Sequence, residues 1–154
     1  MLEGPHITES TAQPTAVVHL TIPRAEIRNV MRPAIAEVMA ALSAQKVDPT
    51  GSAFAHHLRM HPDTFDFEVG LPVASPITPV GRVLASELPA GTVARAVYRG
   101  GFEGLAMAWV EFDAWIAAAG HRAAPDLWER YVRGPESGPN PETYLTELNR
   151  PLIR

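Results

Sequence analysis

The 154-residue chain contains no cysteine. That absence excludes disulfide scaffolds, cysteine-ligated zinc and thiol catalysis together. Lysine is nearly missing as well: Lys46 is the only one, and the other basic residues are arginine. This imbalance, beside much alanine and proline, reads as codon bias rather than function. With 13 basic against 17 acidic residues the formal net charge is −4, so the chain lacks a basic footprint for nucleic acid. No run approaches the ~20 apolar residues that cross a bilayer. Residues 1–16 lack a positive start and an apolar centre, so no signal peptide is expected in them. We expect a cytoplasmic protein with a flexible tail over residues 1–14 and one domain over 15–154, a length that suffices for a real core.

What the sequence does contain is an internal repeat. Two short strand-like runs close the chain, Leu127 to Arg133 before Gly134-Pro135, and Thr143 to Leu148 before Pro151. The first half repeats the figure with Phe54 to Met60 before His61-Pro62, then Phe65 to Val69 before Pro72. Glu68 stands four residues from Pro72, as Glu147 stands four from Pro151. A helix precedes each pair. In the second half Phe102, Leu105, Trp109, Phe112 and Ile116 form an apolar stripe at steps of three and four, and Gly120 takes the C-cap position. In the first half the stripe is Met31, Ile35, Val38 and Leu42, with Pro33 near the start and Asn29 as candidate N-cap. Strands over Val17–Ile22 and Thr92–Tyr98, both rich in β-branched residues, open the two halves. The fold class predicted is α+β: a tandem pseudo-symmetric β-α-β-β repeat over about 15–75 and 88–153, with antiparallel sheets, two long helices and a central ligand groove. The connection between the halves carries an extra strand at Arg82 to Leu88.

Function is expected where the halves differ. At an offset of 73 residues, Glu129 falls opposite His56 and Tyr131 opposite Leu58, so a carboxylate and a phenol occur in one half only. Strand alternation puts Glu129 and Tyr131 on one face. Tyr98, beside the Gly100-Gly101 turn, has a polar tip suited to a pocket rim. Phe67 is a candidate cage member, while Trp109 and Phe112 have a competing reading as core. Glu68 and Glu147, as repeat partners, suit a shared structural role. His56 and His57 are adjacent and point to opposite strand faces, so no metal site is expected. Gly100-Gly101 lacks the rest of a phosphate loop.

Several runs resemble the GyrI-like effector-binding domains, the ligand-binding part of some AraC- and MerR-type bacterial regulators. They are Leu88-Pro89-Ala90-Gly91, Ala94 to Tyr98, Gly100-Gly101-Phe102, Trp128-Glu129-Arg130-Tyr131 before Gly134-Pro135, and Thr146-Glu147-Leu148 before Pro151-Leu152. The resemblance covers about residues 15–153 and implies the same tandem fold. It places the family's pocket carboxylate on Glu129, facing an aromatic cage that in multidrug-binding members receives a cation. It matches Glu147 to a second acidic position, and puts Phe102 where many members have tyrosine, which removes a hydroxyl here.

The implied function is a stand-alone small-molecule (drug or effector) binding protein for an amphipathic aromatic or cationic ligand, held in a groove between the repeats. The contacts expected are Glu129, Tyr98, Phe102, Trp109, Tyr131, Phe67 and Glu147. Two alternatives stay open. One is a hydrolase of reactive cyclopropane-bearing genotoxins, with Glu129 activating water and Tyr98 or Tyr131 assisting. The other is a protein partner role toward DNA gyrase. A haem-binding role finds no axial histidine, and no cofactor, membrane or direct nucleic-acid contact is expected. A monomer or weak dimer is anticipated, without the helix-turn-helix part of the regulators.

Overall fold

The computed structural model describes residues 2–153, so Met1 and Arg154, the outer limits of the expected tail and domain, lie outside it. In chain order the elements are β1 (Leu2–Ser10), β2 (Gln13–Pro23), α1 (Ile27–Ala44), β3 (Phe54–Met60), β4 (Thr64–Pro72), β5 (Val83–Leu88), β6 (Gly91–Arg99), α2 (Leu105–Ala118), β7 (Arg122–Ala123), β8 (Leu127–Arg133) and β9 (Leu145–Ile153). They fall into two compact units, residues 11–90, and residues 2–10 with 91–153. No helix among the described residues is long and apolar enough to cross a membrane.

Each unit is a four-stranded antiparallel sheet served by one helix. The first has the order β3-β4-β2-β5. The second has the order β8-β9-β6-β1, with β7 added on β9. The predicted β-α-β-β halves are both present, as β2-α1-β3-β4 and β6-α2-β8-β9. The extra strand expected at Arg82 to Leu88 is β5, which pairs along β2.

The opening residues correct the sequence reading. Leu2–Ser10, expected as a flexible tail, is a strand hydrogen-bonded along β6 from Leu2↔Tyr98 to Ser10↔Gly91. Its polar composition and Pro5 suggest a tail because an edge strand is held by backbone bonds more than by side-chain burial. The register shifts between Glu3 and His6, around Gly4 (φ +59°) and Pro5, where a missing N–H costs a ladder least. The full repeat is therefore five elements long. In chain order β1 precedes β2 but pairs with β6, and β5 precedes β6 but pairs with β2.

In the second unit α2 packs Ala108, Phe112 and Ile116 on Ala94, Ala96, Tyr98 and Leu148. Alanines on both sides let the helix sit close, and burying Phe112, Ile116 and Leu148 contributes roughly 1.5–3 kcal/mol each. Gly120 ends this helix at φ +83°, as predicted. In the first unit Ala34, Val38, Ala41 and Leu42 make the buried side of α1. Asn29 is not its N-cap. A 3₁₀ turn over Arg24–Glu26 leads in, Glu26 holds the cap position, and the Asn29 amide donates back to Glu26 Oε2 at 3.1 Å.

Candidate functional site

Glu129 lies in the middle of β8, where its partner across the ladder is Leu148, itself opposite Ala96. Directly opposed residues in an antiparallel sheet share a face. Leu148 and Ala96 belong to the core under α2, so the Glu129 carboxylate points to the apolar, helix-covered side. It is 7% exposed. Two donors meet it. Trp109 Nε1, half-buried on α2, donates to Oε2 at 2.6 Å, and Tyr131 Oη donates to Oε1 at 2.9 Å. No arginine, lysine or histidine forms an ion pair with it among the described residues.

Burial raises the Glu129 pKa, while the hydrogen bonds from Trp109 and Tyr131 pull it back down. Tyr131 is pushed well above the ordinary phenol range, by desolvation first and then by the neighbouring carboxylate. Each Glu129 oxygen accepts one of these bonds and keeps acceptor capacity. The pair thus forms an uncompensated acidic centre within an apolar setting.

Aromatic rings extend the site. Phe102 stands edge-on to Tyr131 with ring centroids 5.9 Å apart, and tilted against Tyr144 at 5.6 Å. Phe102 is 40% exposed and is carried on a 3₁₀ turn, Phe102–Gly104, that leads into α2. It is the outermost ring of the group. Trp109 joins the cluster to the core through Phe112 at 5.9 Å. The structure thus brings together four of the sequence candidates: Glu129, Trp109, Tyr131 and Phe102.

Tyr144, which the sequence pattern puts inside a strand and not among the site candidates, joins this group. It sits just ahead of β9, after a 3₁₀ turn at Pro141–Thr143, and its hydroxyl donates to Gly138 O at 3.3 Å. Its place beside the Glu147-Pro151 motif was the only available signal.

The remaining candidates stand elsewhere. Tyr98 is buried, and its hydroxyl donates to Gly101 O at 2.8 Å. A Cβ on Gly104 would fall 2.2 Å from that hydroxyl and one on Gly100 2.8 Å. Tyr98 therefore fills a glycine cradle and fixes the turn that carries Phe102. Glu147 neighbours Leu148 in sequence and so points to the opposite sheet face from Glu129. There it accepts from Asn149 Nδ2 at 3.0 Å and lies 3.5 Å from Arg95 Nε and 3.9 Å from Arg130 Nε. Glu68, its repeat partner, accepts from Ser86 Oγ at 2.7 Å. Phe67 belongs to the first unit, where it is fully buried and stacked on His57 with ring centroids 5.1 Å apart.

The ladders also correct the alignment of the halves by one residue. Glu147 pairs with Arg130 and Leu148 with Glu129, whereas Glu68 pairs with His56 and Val69 with Ala55. With Glu68 matched to Glu147, Glu129 corresponds to Ala55 and Tyr131 to His57. The offset is 74, because an odd slip would turn every side chain to the other face. Alanine and histidine in the first unit replace the carboxylate and the phenol of the second, so the asymmetry survives the correction.

A shallow depression of about 370 Å³ also lies in the second unit, lined by Leu2, Tyr98, Gly104, Met107, Ala108, Val110 and Glu111. It has one carboxylate and no convergent donors, so the Glu129 cluster is the better candidate on chemical grounds.

Comparison with known proteins gives the same architecture. The C-terminal domain of EcmrR superposes with a TM-score of 0.85 over 100% of this chain and 99% of that one, at 17% identity. In the EcmrR–DNA complex the likeness has a TM-score of 0.83 at 16% identity and covers 98% of this chain. It spans only 57% of that protein. SAV2435 bound to tetraphenylphosphonium aligns with a TM-score of 0.72 at 11% identity, over 97% of this chain and 94% of that one. A hydrolase from Listeria innocua aligns with a TM-score of 0.66 at 14% identity, over 97% and 91%. At these identities the likeness establishes the fold. No curated protein matches the chain by sequence. The family pattern of the GyrI-like small molecule binding domain matches residues 4–152, and the chain belongs to that family.

Proposed function

We propose that this protein captures an amphipathic aromatic cation at Glu129, with Phe102, Trp109, Tyr131 and Tyr144 supplying the aromatic surface. One observation carries the reading: a buried carboxylate with two neutral donors and no basic partner among the described residues. Such a group is costly in the free protein and is compensated by a desolvated cation, whose charge also favours ring faces. Lowering of the Glu129 pKa by a bound cation follows from the same electrostatics. The fold likeness to SAV2435 bound to tetraphenylphosphonium supports this ligand chemistry. Calorimetric titration of tetraphenylphosphonium into the wild-type protein is the test. A saturable one-to-one isotherm is expected. No binding by this or any other planar or aryl cation would overturn the proposal.

A second reading has one specific observation in its favour, the 2.9 Å bond that orients Glu129 through Tyr131. Glu129 would take a proton from water while the water oxygen attacks a strained cyclopropane carbon. The breaking carbon–carbon bond would deliver its electrons to the activating group of the substrate, which then takes up a proton. Tyr131 suits the orienting role better than Tyr98, whose hydroxyl is engaged by Gly101. The fold likeness to the Listeria innocua hydrolase is compatible with it. Ring-opened product formed by the wild type and not by Glu129→Gln would establish turnover. Intact compound after incubation with the wild type would leave capture alone.

A further inference from the structure

We propose that Thr146 recognises the ligand in the same site: its hydroxyl pairs with a hydroxyl, carbonyl or N–H group carried on an aromatic ring of the bound cation. The inference rests on the capture reading above and narrows the ligand class, from a bare lipophilic cation to one with a polar substituent.

Thr146 stands on β9 directly between Tyr98 on β6 and Tyr131 on β8. Residues so opposed share a face, with Cβ atoms about 4.5–5.5 Å apart. Thr146 therefore lies on the Glu129 side of the sheet, two residues from Leu148, which faces Glu129. It is 0% exposed, and its Oγ1 has no hydrogen-bond partner.

The surrounding phenols do not supply one. Tyr98 donates to Gly101 O, Tyr131 to Glu129, and Tyr144, two residues before Thr146, to Gly138 O. A valine would fill the position with the same branched shape, favour the strand equally and leave no buried polar group. An orphaned hydroxyl is costly in the free protein, so its presence points to a partner that arrives later. Phe102 rests against both Tyr131 and Tyr144 and is the most exposed ring of the cluster. It is carried by the turn after Gly100-Gly101.

A matched pair of probes isolates the hydroxyl: tetraphenylphosphonium, which has no hydrogen-bonding group, and (4-hydroxyphenyl)triphenylphosphonium, which has one. In the wild type the hydroxylated probe is expected to bind about tenfold more tightly, the size of one hydrogen bond to a buried orphan. Thr146→Val should abolish that preference while changing the affinity for tetraphenylphosphonium by less than about twofold, and Thr146→Ser should keep the preference. Thermal unfolding of each variant verifies that the fold is intact, with Thr146→Val expected to be at least as stable as the wild type. Equal affinities for the two probes in the wild type, or a preference that persists in Thr146→Val, would overturn the assignment. Failure of both probes to bind the wild type would instead overturn the capture reading, and the assignment with it.

Discussion

Lowering the pH should destabilise this protein through His57. The side chain lies on β3, 5% exposed, stacked on Phe67 and edge-on to Phe65 with ring centroids 5.0 Å apart, and its Nδ1 has no partner. Burial above all, then the charges of His56 and Arg24, lower its pKa from 6.5 to about 4. Between those values the unfolded chain binds a proton that the folded protein refuses. Stability is therefore lost as the pH falls from about 6.5 to about 4, and the loss levels off below that. That difference corresponds to about 3 kcal/mol. Replacing His57 by phenylalanine removes the titration and retains an aromatic ring on Phe67. Urea unfolding of wild type and His57→Phe at pH 7, 6, 5 and 4 isolates the effect, because the carboxylates common to both proteins cancel in the difference. The stability difference should shift by about 3 kcal/mol in favour of the variant across that range. Parallel pH profiles for the two proteins would refute the reasoning.

Other consequences concern the second unit. Gly104→Ala would place a Cβ 2.2 Å from the Tyr98 hydroxyl and should cost ~1–3 kcal/mol in denaturant unfolding. Adding Tyr98→Phe removes the clashing oxygen and should recover part of that loss. Glu147→Gln should change stability by less than ~1 kcal/mol, since its arginine partners are partly solvated, and tetraphenylphosphonium affinity by less than about twofold, since it points away from Glu129. Glu129→Gln should raise Tm. A carboxylate whose folded pKa is raised is least favourable when charged, so it contributes stability only at low pH and loses it as pH rises through the folded pKa. A Tm gain larger at pH 8 than at pH 5 is the signature, as expected where a binding site is kept at the expense of stability.

The parts of this molecule legible in the sequence are those that side-chain chemistry dictates. Both helices announce themselves by periodic apolar residues, and Gly120 by the positive φ that a helix end needs. Glu129 stands out because a carboxylate occurs in one half only, set against His56 by the sequence offset and against Ala55 by the ladder register. What escaped is governed by backbone pairing. The strand Leu2–Ser10 carries Pro5 and polar residues because its bonds to β6 are main-chain bonds, and these leave no hydrophobic pattern. The one-residue error in matching the halves had the same origin, since only ladder register fixes which strand face a residue takes. Phe102 continued the stripe of α2 in the sequence, yet its 3₁₀ turn rotates it away from the core and onto Tyr131 and Tyr144. The setting of Tyr98 depends on two glycines against its ring, Gly100 and Gly104, a three-dimensional fit that spacing does not encode.

The proposed function requires the Glu129 carboxylate to hold a cation in an aromatic setting. Isothermal titration of tetraphenylphosphonium into wild type, Glu129→Gln and Glu147→Gln, under one set of conditions, tests it most directly. We predict an affinity lowered at least tenfold in Glu129→Gln, the loss of one buried charge pairing, and unchanged in Glu147→Gln. Equal affinities in wild type and a folded Glu129→Gln would show that the carboxylate does not hold the cation.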